Sequence, residues 1–375
     1  MTRFVLSLLT LAVGMLPAIA QQPRQPTVNS PEVKGKQVTF RLYAPKAEKA
    51  GLLSSDIPGA PRGFAPREMK KGENGVWELT LDVAPGANRY LYDIDGARAV
   101  DPRNPAVSES VGNVWSLVRV PGAAFMDTTD VPHGAVASVT YKSSTVGKNR
   151  RAHVYTPPGY ETSTEKYPVF YLLHGAGDSD DSWTSVGRAN DILDNLIAAK
   201  KSVPMIVVMP AGHTGPSAFV GPGAPRPKGP PPARFEDDFE KDLRPYIERT
   251  YRVKTDRADR AIAGLSMGGG QTLSLFGANP TEFSAVGVFS SGIFAKGDAW
   301  ENQHKEALSA PASHKGLKVL WFATGKDDFL IDRTKESVEL FKKYGFKPEF
   351  KETEGGHTWI NWQHYLIEFA PMLFK

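Results

Sequence analysis

The rhythm of hydrophobic and polar positions changes once along this chain, near residue 130. From about 27 to 122, short runs alternate apolar with polar. "VTFRLYAP" puts Val38, Phe40 and Leu42 on one face, and "VWELTLDV" does the same with Trp77, Leu79, Leu81 and Val83. "RYLYDIDG" and "VWSLVRVPG" follow the same pattern. Successive side chains of a strand point to opposite faces, so a period of two marks a strand buried on one side. Gly, Pro, Asn and Asp separate the runs at the spacing of a small antiparallel sandwich. Within "YDIDG", Asp95–Gly96 is a hairpin-turn signal.

From about 134 to 375 the runs are apolar on both faces, as in "YPVFYLLHG" and "VPMIVVMPAG". Between them lie amphipathic segments of helical length: "GRANDILDNLIAAK", "FEDDFEKDLRPYIERTY" and "DRTKESVELFKKYG". Doubly buried strands alternating with helices predict a doubly wound α/β domain with a mostly parallel sheet. One segment breaks the alternation, "GPSAFVGPGAPRPKGPPPARF" from Gly215 to Phe235. Its prolines and glycines oppose regular structure, which predicts a long loop, either a free excursion or a rim over a site.

Length and charge narrow the function classes. A chain of 375 residues exceeds one ordinary core, in keeping with two domains. Forty-five basic against 41 acidic residues leave +4, too little for a nucleic-acid protein. The densest basic cluster, "KNRR" at Lys148–Arg151, reads as a solvated loop. Without cysteine there is no disulfide, no thiolate nucleophile and no Cys-ligated metal. The start, "MTRFVLSLLTLAVGMLPAIAQ", has a cation, an apolar run and Ala18-Ile19-Ala20. That pattern predicts a signal peptide over 1–20 and a periplasmic or secreted product. No later stretch is long and apolar enough to span a bilayer, so no membrane partner is expected after cleavage.

The chemistry centres on "AIAGLSMGGGQTL", Ala261 to Leu273. Opening a helix with three glycines costs about 1 kcal/mol each relative to alanine, so backbone without side chains must be required there. Gly264-Leu265-Ser266-Met267-Gly268 fits G-x-S-x-G between a strand and a helix, the nucleophile elbow. Gly264 and Gly268 then clear space around a sharp turn, and Gly269 and Gly270 let the helix approach the sheet. A serine nucleophile needs a base and a carboxylate orienter, in the order Ser, acid, His for this fold. His357, in "ETEGGHTWINW", lies in a loop past the last strand; His364 falls in the terminal helical pattern. The strand "KVLWFATG" ends just before Asp327 and Asp328, and either carboxylate suits the orienter. Oxyanion donors are expected from the Met267 N–H and from "LLHGAGD", with Ala176 first and Gly177 second. His174 is read as structural. "DSDDSW" lacks the glycine and final acid of a calcium loop, and no zinc or phosphate-binding motif is present, so no metal or cofactor is expected.

At "YLLHGAGDSDDSW", "AIAGLSMGGGQTL", "GKDDFL" and "EGGHTWINWQHYL" the chain resembles the esterase D-type hydrolases, nearest to carbohydrate esterase family 1 of feruloyl and acetylxylan esterases. The resemblance covers about 135–375. It implies an α/β-hydrolase fold, and it implies Asp328 over Asp327 because the family's acid precedes an apolar pair. "VTFRLYAP", "ENGVWELTLDVAPGANRYLYDIDG" and "VDPRNP" resemble the immunoglobulin-like domain of carbohydrate-binding module family 48. Together they imply an exported feruloyl esterase acting on feruloylated or acetylated plant polysaccharide, with Trp183 and Trp359 as candidates for an aromatic acyl-pocket wall or, equally, for core packing. An enterochelin-type esterase, a mycolyl-type acyltransferase and a non-catalytic glycan binder are the competing readings.

Overall fold

The computed structural model of the protein describes residues 26–57, 65–215, 234–295 and 297–375. The expected signal peptide and residues 216–233 of the Pro/Gly-rich segment lie outside the described residues.

The N-terminal strands are β1 (Glu32–Lys34), β2 (Gln37–Tyr43), β3 (Ala50–Leu53), β4 (Arg67–Glu68), β5 (Lys70–Lys71), β6 (Val76–Asp82), β7 (Gly86–Ile94), β8 (Ala97–Ala99), β9 (Val107–Ser110) and β10 (Asn113–Val120). Their pairings are antiparallel, in the orders β1-β2-β6-β5 and β4-β3-β7-β10-β9, with β8 on β7. Val38, Phe40, Leu42, Trp77, Tyr90, Tyr92 and Val118 form the core between the sheets. Trp77 is a packing residue here, buried with its Nε1–H donated to the Ala44 carbonyl. Asp95 and Gly96 both take positive φ, 51° and 88°, the geometry a tight β7–β8 turn requires.

The α/β domain is one sheet of β11 (Ala135–Ser143), β12 (Lys148–Thr156), β13 (Val169–Leu173), β14 (Ile206–Pro210), β15 (Arg260–Leu265), β16 (Ala285–Phe289), β17 (Val319–Gly325) and β18 (Glu349–Thr353). The order is β11-β12-β14-β13-β15-β16-β17-β18, antiparallel at the first two pairings and parallel from β14 onward. The predicted helices appear over Ala189–Ala198, Met267–Ala278 and Ile331–Lys343. Helical structure also runs from Phe235 to Thr250, with a π turn at Phe239–Leu243. Apolar clusters lie on both faces of the sheet, which is why its strands read as unbroken apolar runs.

The basic run Lys148–Arg151, expected as a solvated loop, is the first half of β12. Strand alternation turns Arg150 inward, 4% exposed, with its Nε 2.9 Å from the Asp238 carboxylate. Arg151 faces outward and pairs with Asp180 at 2.7 Å. A buried charge is tolerable once paired, and the partner lies nearly ninety residues away, beyond the reach of local pattern.

The two domains share a core. Leu117 of β10 and Met126 of the connector join the cluster that contains Trp183, Val186 and Trp359. The connector is also hydrogen-bonded to the helix at 189–198: Thr128 Oγ1 donates to Asp191 at 2.7 Å, and Gly134 N–H to Asp194 at 2.9 Å. A truncated protein beginning at Val131 loses Leu117 and Met126 and bares apolar surface. It is expected to be recovered mainly as aggregate, and a soluble yield equal to the full chain's would refute that expectation.

Candidate active site

Ser266 caps β15 at φ 51° and ψ −115°, a strained conformation for a residue with a Cβ. The backbone around it is held on both sides. Its N–H donates to the Phe289 carbonyl at 2.9 Å, and its carbonyl accepts from Ser291 Oγ at 2.6 Å. Its side chain makes no capping bond to the helix it precedes. The glycines explain themselves sterically. A Cβ on Gly264 would lie 2.3 Å from the Gly268 carbonyl, and one on Gly268 would lie 2.6 Å from the His174 carbonyl oxygen. Gly269 abuts Ser291 just past β16, whereas Gly270 makes room for the Phe294 ring rather than for the sheet.

The free Oγ of Ser266 lies 3.0 Å from His357 Nε2. His357 Nδ1 lies 3.0 and 3.1 Å from the two oxygens of Asp328. Asp327, its neighbour, points to solvent. Two loops make this meeting possible. Lys326 N–H donates to the Thr353 carbonyl at 2.8 Å and Asp327 N–H to the Gly355 carbonyl at 3.0 Å. A Cβ on Gly325 would fall 2.2 Å from that same Gly355 oxygen, so only glycine allows the approach. Burial would raise the Asp328 carboxyl, but His357 and the Leu330 N–H, which donates at 2.9 Å, hold it below the ordinary range. It therefore faces the imidazole as a carboxylate. His364 is exposed on the terminal helix, Trp359–Phe369, outside this group.

Beside the serine lies the turn His174–Asp178. The Gly175 carbonyl accepts the Asp178 N–H at 3.1 Å and faces His174 Nδ1 at 2.8 Å. His174 Nε2 accepts the Gly212 N–H at 2.8 Å, which places the ring proton on Nδ1. Burial depresses the pKa of this histidine, so it sits neutral with both nitrogens taken by backbone. A Cβ on Gly175 would lie 3.5 Å from Ser266 Cβ, so the turn touches the nucleophile elbow. Among the described residues, the Ala176 and Met267 N–H groups have no protein acceptor.

Residues 143–373 match the family model "Esterase". The chain belongs to the esterase family. Residues 26–111 match carbohydrate-binding module 48, the isoamylase N-terminal domain type. An endo-1,4-beta-xylanase/feruloyl esterase of Xylanibacter ruminicola is 33% identical over 96% of this chain, which spans 47% of that relative. A solved ferulic acid esterase is 29% identical with TM-score 0.54, covering 64% of this chain and 97% of its own. Enterochelin esterase from Shigella flexneri has the same fold over 92% of this chain and 94% of its own, at 16% identity and TM-score 0.62.

Of the two places weighed for Trp183 and Trp359 in this esterase, the core is where they lie. Trp183 and Trp359 are 1% and 0% exposed and pack edge to face with centroids 5.1 Å apart. Their Nε1–H groups donate to the Leu173 carbonyl and to Asp178. Neither ring can touch a ligand, because both fill the core beneath the site. Phe329 is the exposed ring beside the candidate base. It is 75% exposed, with its ring centroid 4.5 Å from that of His357. Trp362 packs edge-on to the same imidazole at 5.0 Å from beneath. Phe294, 48% exposed, lies against Gly270 in the first turns of the elbow helix. Phe329 sits inside "GKDDFL", but its neighbours gave no cue that its side chain turns outward. Among the described residues, no helix of the esterase is long and apolar enough to cross a membrane.

Proposed function

We propose that this esterase is an exported serine hydrolase that cleaves feruloyl esters of plant cell-wall xylan through an acyl-enzyme on Ser266. His357 Nε2 takes the proton of Ser266 Oγ as that oxygen attacks the ester carbonyl. Asp328 keeps the Nδ1 proton of His357 in place and balances the imidazolium that forms. The N–H groups of Met267 and Ala176 receive the oxyanion. The imidazolium then protonates the departing alcohol oxygen, and water, deprotonated by His357, releases the acid and restores Ser266. Every step uses protein groups and water alone. The observation that carries the reaction type is the continuous hydrogen-bonded line from Ser266 Oγ through His357 to Asp328.

The exposed Phe329 ring supports an aromatic acyl group, since a hydroxycinnamoyl ring can stack where an acetyl group leaves apolar surface bare. The xylanase/feruloyl esterase relative supports a xylan-borne ester. The likeness to enterochelin esterase is one of fold, and Arg226 and Lys228, the cations a catechol-siderophore pocket would call on with Arg234, lie outside the described residues. Export follows from the signal-peptide pattern over 1–20, and acetylxylan is the secondary substrate.

A panel of methyl ferulate, acetylated xylan, chlorogenate and enterobactin tests the reading. The highest kcat/KM is expected on methyl ferulate. First rank for enterobactin would overturn the substrate class, and failure on all four and on p-nitrophenyl acetate would overturn the reaction. Phe329→Ala is expected to raise KM for methyl ferulate about 10-fold, the equivalent of one aromatic contact, and to leave p-nitrophenyl acetate unchanged. Equal effects on both esters would remove Phe329 from acyl recognition.

A further inference from the structure

Arg89 of β7 is 8% exposed and joins the two domains through carboxylates. Its Nε lies 3.1 Å from Asp56 in the sandwich, and its Nη1 lies 2.8 Å from Asp178 in the α/β domain. The guanidinium also lies 5.6 Å from the centroids of both Trp115 and Trp359. Asp178 closes the turn beside Ser266, and its carboxylate abuts Gly175: a Cβ there would fall 3.0 Å from Oδ2. The sandwich grips the turn a second time. Val111 N–H donates to the Gly177 carbonyl at 3.3 Å, Ser110 Oγ donates to the same oxygen, and Ser110 bridges Asp178 as a strand would.

Peptide geometry converts these ties into the aim of one N–H. In a trans peptide the carbonyl and the following N–H point in opposite directions. With the Gly177 carbonyl held by the sandwich, the Asp178 N–H is turned back onto the Gly175 carbonyl. With the Gly175 carbonyl held by that N–H and by His174, the Ala176 N–H is turned the opposite way, free of protein acceptors. We propose that Arg89 is a positioning residue for ester hydrolysis: acting through Asp178, the sandwich domain holds the turn that presents the Ala176 N–H to the oxyanion. This deepens the serine-esterase reading and rests on it. It gives the sandwich a part in the chemical step for every ester, whether or not that ester carries a sugar chain.

The test replaces Arg89 by methionine in the full chain, keeping bulk while removing the guanidinium. Wild type and variant are compared by kcat and KM for p-nitrophenyl acetate and methyl ferulate, by pH–rate profile, and by hydrogen exchange of residues 175–178. Arg89→Met is expected to lower kcat about 10- to 100-fold on both esters, as for a misplacement on the order of an ångström. KM and the acid limb of the profile stay in place, because Ser266, His357 and Asp328 keep their contacts. Exchange rises in the turn and not in the loops around Asp328 and His357. Should the variant fail to fold because two buried carboxylates lose their partner, Arg89→Met with Asp56→Asn and Asp178→Asn removes those charges, leaves the tie broken and carries the same expectation. A folded variant with the wild-type kcat on p-nitrophenyl acetate overturns the proposal. So does a loss confined to methyl ferulate, which would make the sandwich a wall for larger substrates only. A wild-type protein inactive on both esters would instead fail the esterase reading, and the exchange measurement then decides the tie by itself, unchanged exchange overturning it.

Discussion

Replacing Ser266 by alanine is expected to leave a folded protein whose hydrolysis of p-nitrophenyl acetate and methyl ferulate falls by about 10⁴-fold or more. The size follows from what the hydroxyl does. It is the one group at the elbow able to form the acyl intermediate, and its Oγ is already 3.0 Å from the base. The fold should survive because Oγ caps no helix and the elbow is held by its main chain, through Phe289 and Ser291. The strain at φ 51° is unchanged by the substitution, since alanine keeps the Cβ. The measurement is kcat beside a thermal melt. A variant that melts like wild type and keeps a tenth of its rate would move the nucleophile elsewhere.

Asp328→Asn is expected to lower kcat by about 10³- to 10⁴-fold, while Asp327→Asn stays within about twofold of wild type. Asparagine is isosteric with aspartate, so the contacts with His357 Nδ1 and the Leu330 N–H can persist in outline. The charge is lost, and with it the preference for a proton on Nδ1 and the balance for the imidazolium. An amide that turns its NH₂ toward Nδ1 would place the imidazole in the wrong tautomer, with Nε2 unable to accept from Ser266. Asp327 differs by one position yet faces solvent, its N–H spent on Gly355. Kinetics of the two variants at neutral pH decide the matter, and a larger loss in Asp327→Asn would reverse the assignment.

Local chemistry explains how much could be read from the chain. Period-two alternation named β2 and β6 because each has one wet face; β7 and β10 carry the same pattern in sequence, although Gly86–Tyr92 and Ser116–Val118 are buried throughout. Doubly apolar runs named β13, β14, β15 and β17 because helices cover both faces. The elbow was legible because its constraint is local: a sharp turn at Ser266 forbids Cβ atoms at Gly264 and Gly268, within two residues on either side. His357 followed from chain order and from the glycines before it, and Asp328 from the resemblance. What the chain could not reveal depends on partners distant in sequence. Alternation cannot tell that Arg150 meets Asp238, or that Arg89 meets Asp178, and a basic residue without a visible partner reads as solvated. For Trp183 and Trp359 the sequence left pocket wall and core packing equally open. The folded chain packs both rings inward against Phe289, Trp362 and each other and leaves Phe329 outside, an outcome set by residues far apart in sequence. The aim of the Ala176 N–H is of the same kind. His174 and the Asp178 N–H hold the Gly175 carbonyl locally, and the contacts from Ser110, Val111 and Arg89 that we propose fix the rest of the turn come from a different domain, out of reach of any local pattern.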